Sequence, residues 1–373
     1  MARRASPSME AVDWGMHGED PASSLVDWKL ASTIGARLTG GGPQLSQTER
    51  ARLNEDFAEL VPKAEFLVSE FTGLKPEGYR ARAWVMPRSQ WIDQNLRGFQ
   101  TVLEPLAARV LGQRGQGGSV RRKGLGLQIG LLMGYVSRKV LGQYDLFLPP
   151  DDDGLLYFVG PNVVSVERRL RFRRRDFRLW ISLHEVTHRV QFGSVPWLRT
   201  HLIGLVDDYI GSVELDSKRV MEALKRVAEQ VRAGDRRGQD LLFMFMTPEQ
   251  RAIIDRVQAL MSLLEGHANF VMDTVGAQNV PGADRMRRGL HDRRSAGGIE
   301  RSFQRLIGFE SKVRQYDVGE RFVAGVVERA GMAGFNRVWE APEHLPSLEE
   351  VMAPDRWLRR VRPEPQAPPA AES

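Results

Sequence analysis

The sequence predicts a mainly α chain of the α+β class, with one small β-sheet set beside a buried helix. Three observations lead there. From Leu25 onward apolar residues recur three and four apart over most of the chain, the spacing of helices that bury one face. Runs of β type are confined to Leu155–Val159 and Val163–Val166, divided by Gly160-Pro161-Asn162, and are expected as two short strands or a strand and an extended segment. Thr247-Pro248-Glu249-Gln250 has the form of a capping box, with Thr as N-cap, Pro in the first helical position and Gln three residues on, so a long helix is predicted to start there.

Taken in order, residues 1–24 mix Gly, Pro, Ser and charge without apolar period and are expected to be a disordered tail, as is the Pro-rich end, 362–373. Residues 25–361 are expected to form a single domain, with a helical N-terminal layer to about residue 150 and the chemistry-bearing part from about 151. Helices are predicted near Trp28–Leu38 and over Gln47–Phe71. The basic, glycine-rich loop Gln113–Lys123 interrupts the pattern, and neither a following Lys-Ser/Thr nor a preceding strand supports a phosphate cradle in it. The most apolar window, Gly124–Val136, is well short of the ~20 residues a bilayer requires. It is predicted to be a buried helix whose Gly126, Gly130 and Gly134, four apart, let another backbone come close. Asp176 is placed to cap the next helix, whose Phe177, Trp180, Leu183, Val186 and Val190 face the core and which ends near Pro196. The helix from Pro248 is predicted to reach Gly276 although Gly266 interrupts it at a cost of ~1 kcal/mol against Ala, so a packing or metal-site reason for that glycine is expected.

Composition bounds the chemistry. A chain of 373 residues with 42% hydrophobic content can bury the core of a stand-alone enzyme. The absence of cysteine excludes disulfides, thiolate zinc fingers, iron–sulfur clusters and a catalytic thiol, so any metal must be held by His and carboxylates. Arg3 and Arg4 are followed by polar residues instead of an apolar signal core, and the expected location is cytoplasmic, away from membranes. A net charge of +6 and the run Arg168–Arg175 raise the question of nucleic acid, but no binding-fold signature surrounds the run. It reads as a solvated face or a cleft rim that meets acidic substrates, and no specific nucleic-acid binding is expected.

Within the predicted buried helix stands His184-Glu185-Val186-Thr187-His188. At about 3.6 residues per turn, positions i and i+4 lie one above the other, so both imidazoles can reach one Zn²⁺ while Glu185 sits beside the ion without binding it. A catalytic zinc generally takes three protein ligands and keeps a fourth position open. Outside the motif the histidines are His17, His201, His267, His291 and His344. On the helix from Pro248, Glu265 and His267 are ~200° apart and cannot both face one ion. Asn269, four residues after Glu265 and on its face, would set a hydrogen-bonding group beside the ligand, which favours Glu265 and leaves His267 as the alternative.

These residues resemble the zincin superfamily, and within it the glutamate-ligand (gluzincin-like) branch, in which a His-Glu-x-x-His helix is followed later by a helix with Glu-Gly-x-Ala; here these are His184–His188 and Glu265-Gly266-His267-Ala268. With Asp27-Trp28-Lys29-Leu30-Ala31, Leu141-Gly142-Gln143-Tyr144-Asp145, Arg314-Gln315-Tyr316-Asp317 and Gly334-Phe335-Asn336-Arg337-Val338-Trp339, the chain is similar over about 25–360 to an actinobacterial family of zinc-dependent metalloproteases. Some members of that family carry a label tying them to deazaflavin coenzyme biosynthesis. The resemblance implies a zincin-like metalloprotease fold, His184, His188 and Glu265 as zinc ligands, Glu185 as general base and Tyr316 as donor to the oxyanion. Glu265 follows His188 much later than in thermolysin-like enzymes, and Asn269 stands where an acidic residue is common. The implied activity is a zinc-dependent hydrolase, a metallopeptidase of peptide or protein substrates. A zinc hydrolase of a small molecule, or a catalytically silent zincin used as a binding or regulatory module, are the other readings, and the presence of Glu185 argues against the silent one.

Overall fold

The computed structural model describes residues 26–40, 42–78, 80–111, 119–145, 154–212, 247–295 and 316–361. Both tails, and most of the loop expected at Gln113–Lys123, lie outside the described residues. Helix α1 (Trp28–Arg37) starts on Asp27, whose carboxylate accepts from the Leu30 N–H at 2.9 Å. Helix α2 (Gln47–Thr72) opens on a Ser46/Glu49 capping box and stops at Gly73, where φ is 73° and a side chain would be strained. Then come β1 (Arg82–Met86), α3 (Arg88–Leu111), α4 (Ser119–Ser137), β2 (Gly142–Tyr144), β3 (Leu155–Val159), α5 (Gly160–Leu170), α6 (Arg174–Ser194) and α7 (Pro196–Gly211). The remainder is α8 (Pro248–Asn279), α9 (Ala283–Ser295), α10 (Tyr316–Phe335), two short 3-10 turns, α11 (Leu348–Met352) and α12 (Pro354–Val361).

The strand predicted at Leu155–Val159 is the centre of a three-stranded sheet in the order β1-β3-β2, with β1 parallel and β2 antiparallel to it. All five of its residues are buried, which is why it reads as an unbroken apolar run. Val163–Val166 is not a strand. It lies inside α5, which begins at Gly160 with Pro161 in its first turn, where the missing N–H costs nothing. The Asn162 amide donates to the carbonyls of Ser137 and Val140, and Val163, Val164 and Val166 are buried, so packing overrides their β preference. Neither β1 nor β2 was read as a strand: β2 has three residues, and β1, although as long as β3, is mostly half-buried and lacks its unbroken apolar run.

Helix α4 confirms the close approach of its glycines to α1. A Cβ on Gly126, Gly130 or Gly134 would come within 2.5, 2.7 and 3.0 Å of the carbonyl oxygens of Asp27, Ala31 and Gly35. The helix expected to be buried is covered on the side of its glycines, Met133 and Val136, while Leu127, Leu131 and Tyr135 are exposed. No described helix is long and apolar enough to cross a membrane.

Two apolar clusters frame the functional region. One gathers Phe57 of α2, Phe158 of β3, Phe177, Leu183, Val186 and Val190 of α6, and Val271 and Val275 of α8. The other gathers Leu260, Leu263 and Leu264 of α8 with Phe322 and Val326 of α10 and Trp357 of α12. Helix α8 passes from the second cluster to the first, and Glu265 falls at the handover. Gly266 has the packing reason expected of it: its Cβ would come within 2.2 Å of the Gly319 carbonyl carbon, so α8 and α10 cross backbone to backbone at that point.

Helix α6 is held from its other side by α2. Arg189, next to His188 in sequence and buried, pairs with Glu65 at 2.8 Å. Arg178, also buried, pairs with Glu167 at 2.7 Å and with Asp56. The basic run is accordingly only in part a solvated face: Arg168 meets Glu49, and Arg175 meets Asp56 and Glu59. Asp176 is not the N-cap of α6. The helix starts earlier, from Arg173, and Asp176 sits in its first turn, where its charge suits the positive end of the helix dipole.

Candidate metal centre

His184 and His188 are one helical turn apart on α6, their rings 4.9 Å between centroids and nearly perpendicular at 87°. Their Nε2 atoms are 3.3 Å apart. From α8, Glu265 brings Oε2 to 3.6 Å from His184 Nε2 and Oε1 to 3.4 Å from His188 Nε2. One donor atom from each of the three residues lies within 4.8 Å of the others, and no other such group of His and acidic residues occurs among the described residues. Donors about 2.0–2.2 Å from one tetrahedral ion stand roughly 3.3–3.6 Å from each other, so the observed separations fit three corners of a zinc site.

Electrostatics agree with that reading. Burial alone would lower the pKa of His188, but the carboxylates of Glu265 and Glu185 outweigh it and raise the value to about 9.

His267, the alternative ligand, points the other way. It is fully buried, with its ring stacked on Phe335 at 5.0 Å and beside Trp339 at 5.5 Å. Burial, reinforced by the charge on His188, lowers its pKa to about 3, so it is neutral. Its Nδ1 is 2.9 Å from the side-chain nitrogen of Gln191, which also donates to the Leu264 carbonyl at 3.0 Å. The Gln191 oxygen lies 3.0 Å from His188 Nδ1. Sequence reasoning passed over Gln191, although it stands three residues beyond His188 and so on the same helix face.

Glu185, one step around α6 from His184, is largely buried and aims at the sheet. A Cβ on Gly142 of β2 would come within 2.6 Å of its Cγ, so the strand's backbone fits against this carboxylate only because residue 142 has no side chain. Gly142 stands in the Leu141–Asp145 segment that carries part of the family resemblance, but nothing local tied it to Glu185. Asn269 is buried on α8 one turn beyond Glu265. Tyr316 opens α10, and its side chain lies outside the described residues, as do those of His17 and His291. His201 packs edge-on against Trp197, and His344 is engaged by the Arg337 carbonyl and Glu340; neither is brought to the cluster.

Two imidazoles from one helix and a carboxylate from a second, with another glutamate between the histidines, make a group that could hold a metal ion. Residues 26–358 match the family model described as zincin-like metallopeptidase, and the chain belongs to that family. Its mostly helical architecture with a small three-stranded sheet is a zincin-like α+β fold. Among solved structures it is similar to a protein of Chloroflexus aurantiacus described as "a putative hydrolase with a novel fold", with a TM-score of 0.69 and 33% identity over 90% of this chain and 98% of that one. No curated protein matches.

Proposed function

We propose that this protein is a zinc-dependent peptidase that cleaves peptide or amide bonds with Glu185 as general base. The observation that carries the reading is the convergence of the His184, His188 and Glu265 donors at 3.3–3.6 Å. Those three residues would hold the ion. Bound there, zinc would supply Lewis-acid chemistry, polarising a scissile carbonyl and lowering the pKa of a water to about 7. Glu185 accepts the proton of the attacking water and returns it to the leaving amine, a role that suits a carboxylate held beside the ligands, close enough for its charge to act on His188. Tyr316, at the start of α10, is proposed as the donor to the oxyanion.

The position of β2 favours a peptide over a small molecule. It is an edge strand of the described sheet, it passes the Glu185 carboxylate, and an edge strand accepts an extended peptide as an added strand. Metal analysis together with a peptide-library cleavage assay on wild type and the Glu185→Gln variant tests the proposal. The expected result is zinc in both proteins and cleavage in the wild type alone. Cleavage by the variant would overturn the base, and zinc-dependent turnover of small amides or esters without peptide cleavage would overturn the substrate class.

A further inference from the structure

We propose that Gln191 and His267 form a positioning pair that fixes the metal-facing nitrogen of His188 and locks together the two helices that carry the ligands. The proposal rests on the assignment of His188 and Glu265 as zinc ligands.

A glutamine side chain has one acceptor and two N–H donors. Here the nitrogen end faces two acceptors at once, the Leu264 carbonyl at 3.0 Å and His267 Nδ1 at 2.9 Å. Reversing the amide would set oxygen against the Leu264 oxygen, so the carbonyl of the amide has to face His188, where it lies 3.0 Å from Nδ1. That oxygen can only accept. His188 therefore keeps a hydrogen on Nδ1, so the form of the ring that binds a metal offers its Nε2 lone pair to the side where Glu265 and His184 converge. Because His267 accepts at Nδ1, its own hydrogen is on Nε2.

Two further observations set this pair apart from ordinary core packing. Leu264 directly precedes Glu265, so the bond from Gln191 ties α6 to α8 beside the third ligand, and one side chain governs both ligand-bearing helices. His267 is fully buried, and its Nε2 has no hydrogen-bond partner among the described residues. A phenylalanine would fill the same space against Phe335 without burying an unpartnered nitrogen, so packing does not account for an imidazole here. The bond it makes to Gln191 does.

The test is zinc affinity of the full-length protein by chelator competition, with the thermal midpoint of each metal-free variant measured alongside. Gln191→Leu is expected to weaken zinc binding by about 10- to 100-fold. His267→Phe, which keeps the ring but not the acceptor, should weaken it by about tenfold, and the double variant should be no worse than Gln191→Leu alone, as for residues that act as one unit. His267→Asn places an oxygen near the lost Nδ1. It should lower the thermal midpoint through the cavity it leaves while keeping zinc affinity within about threefold of wild type, a split that a purely structural histidine would not produce.

Nitrogen NMR of the histidines in zinc-loaded wild type supplies a readout independent of any variant's folding: His188 should be the Nδ1–H tautomer and His267 the Nε2–H tautomer. The proposal is overturned by a Gln191→Leu protein that binds zinc as tightly as wild type, by effects of the two substitutions that multiply, or by His267 carrying its hydrogen on Nδ1. A wild-type protein without zinc affinity is a different failure, since it removes the metal assignment itself.

Discussion

Two helix crossings in this molecule are built on glycine, and they do different work. Where α4 lies on α1, three glycines spaced four apart spread the contact over the length of both helices, and the outer side of α4 carries exposed Leu127, Leu131 and Tyr135. Where α8 meets α10, apolar side chains also pack along both helices, but the backbones come closest at Gly266 and Gly319, with a Cβ on the latter coming within 2.0 Å of the Ser262 carbonyl. A distributed ladder sets the direction of an axis. A single pinch sets the height of one residue, and at α8 that residue is Glu265, the immediate neighbour of Gly266.

The contrast can be broken in order of effect. Glu265→Ala should lower zinc affinity by more than about 100-fold in chelator competition, since removing a ligand exceeds the usual effect of removing a group hydrogen-bonded to one. If instead affinity held and His267→Ala abolished it, the ligand would have been assigned to the wrong side of α8. Gly266→Ala should destabilise the fold by about 3 kcal/mol or more and reduce zinc content as well, because the added carbon meets rigid backbone. Gly130→Ala meets the Ala31 carbonyl at 2.7 Å and should cost about 1–3 kcal/mol in chemical denaturation, with zinc stoichiometry unchanged. Equal zinc loss in both glycine variants would erase the distinction between ladder and pinch.

A smaller effect is expected at β2. Gly142→Ala presses on Glu185 and should slow turnover by about tenfold, a loss near 1.4 kcal/mol of transition-state stabilisation, while zinc is retained. The mildest perturbation is pH. The pKa of His188 in the metal-free fold is raised to about 9 from an ordinary 6.5, so its stabilising contribution is complete below about 6.5 and is lost as pH rises through 9. Zinc competes with that proton, so apparent zinc affinity should climb over the same interval, and the gap in thermal midpoint between zinc-loaded and metal-free protein should widen with pH. A gap that does not change between pH 6 and 9 would show that zinc does not displace a proton from His188 in that range.

What the sequence disclosed follows from the range over which each signal acts. The pair His184 and His188, the Thr247 cap and the glycine ladder of α4 are repeats within one helix, and each was legible from spacing alone. That Glu265 and His267 point to opposite sides of α8 was legible too, because opposite faces of a regular helix can be counted in residues. The valines of α5 misled because β preference is local while their burial depends on the packing of distant elements. Gln191 passed unseen for a related reason: its partners, Leu264 and His267, come from another helix far along the chain. The approach of Gly142 to Glu185 is likewise made by the fold, between two segments that share no local pattern.

Arg189, the residue after a metal-facing histidine, is paired inside the protein with Glu65 of α2, and Arg178 reaches Asp56 on the same helix. A fragment begun after residue 150 would retain every candidate ligand yet take Glu65 from the interior Arg189, leave Arg178 with Glu167 but without Asp56, and bare the apolar flank of α6. The amino-terminal helices are thus the foundation on which the hydrolytic half stands, and a search for a minimal enzyme has to start upstream of Gln47.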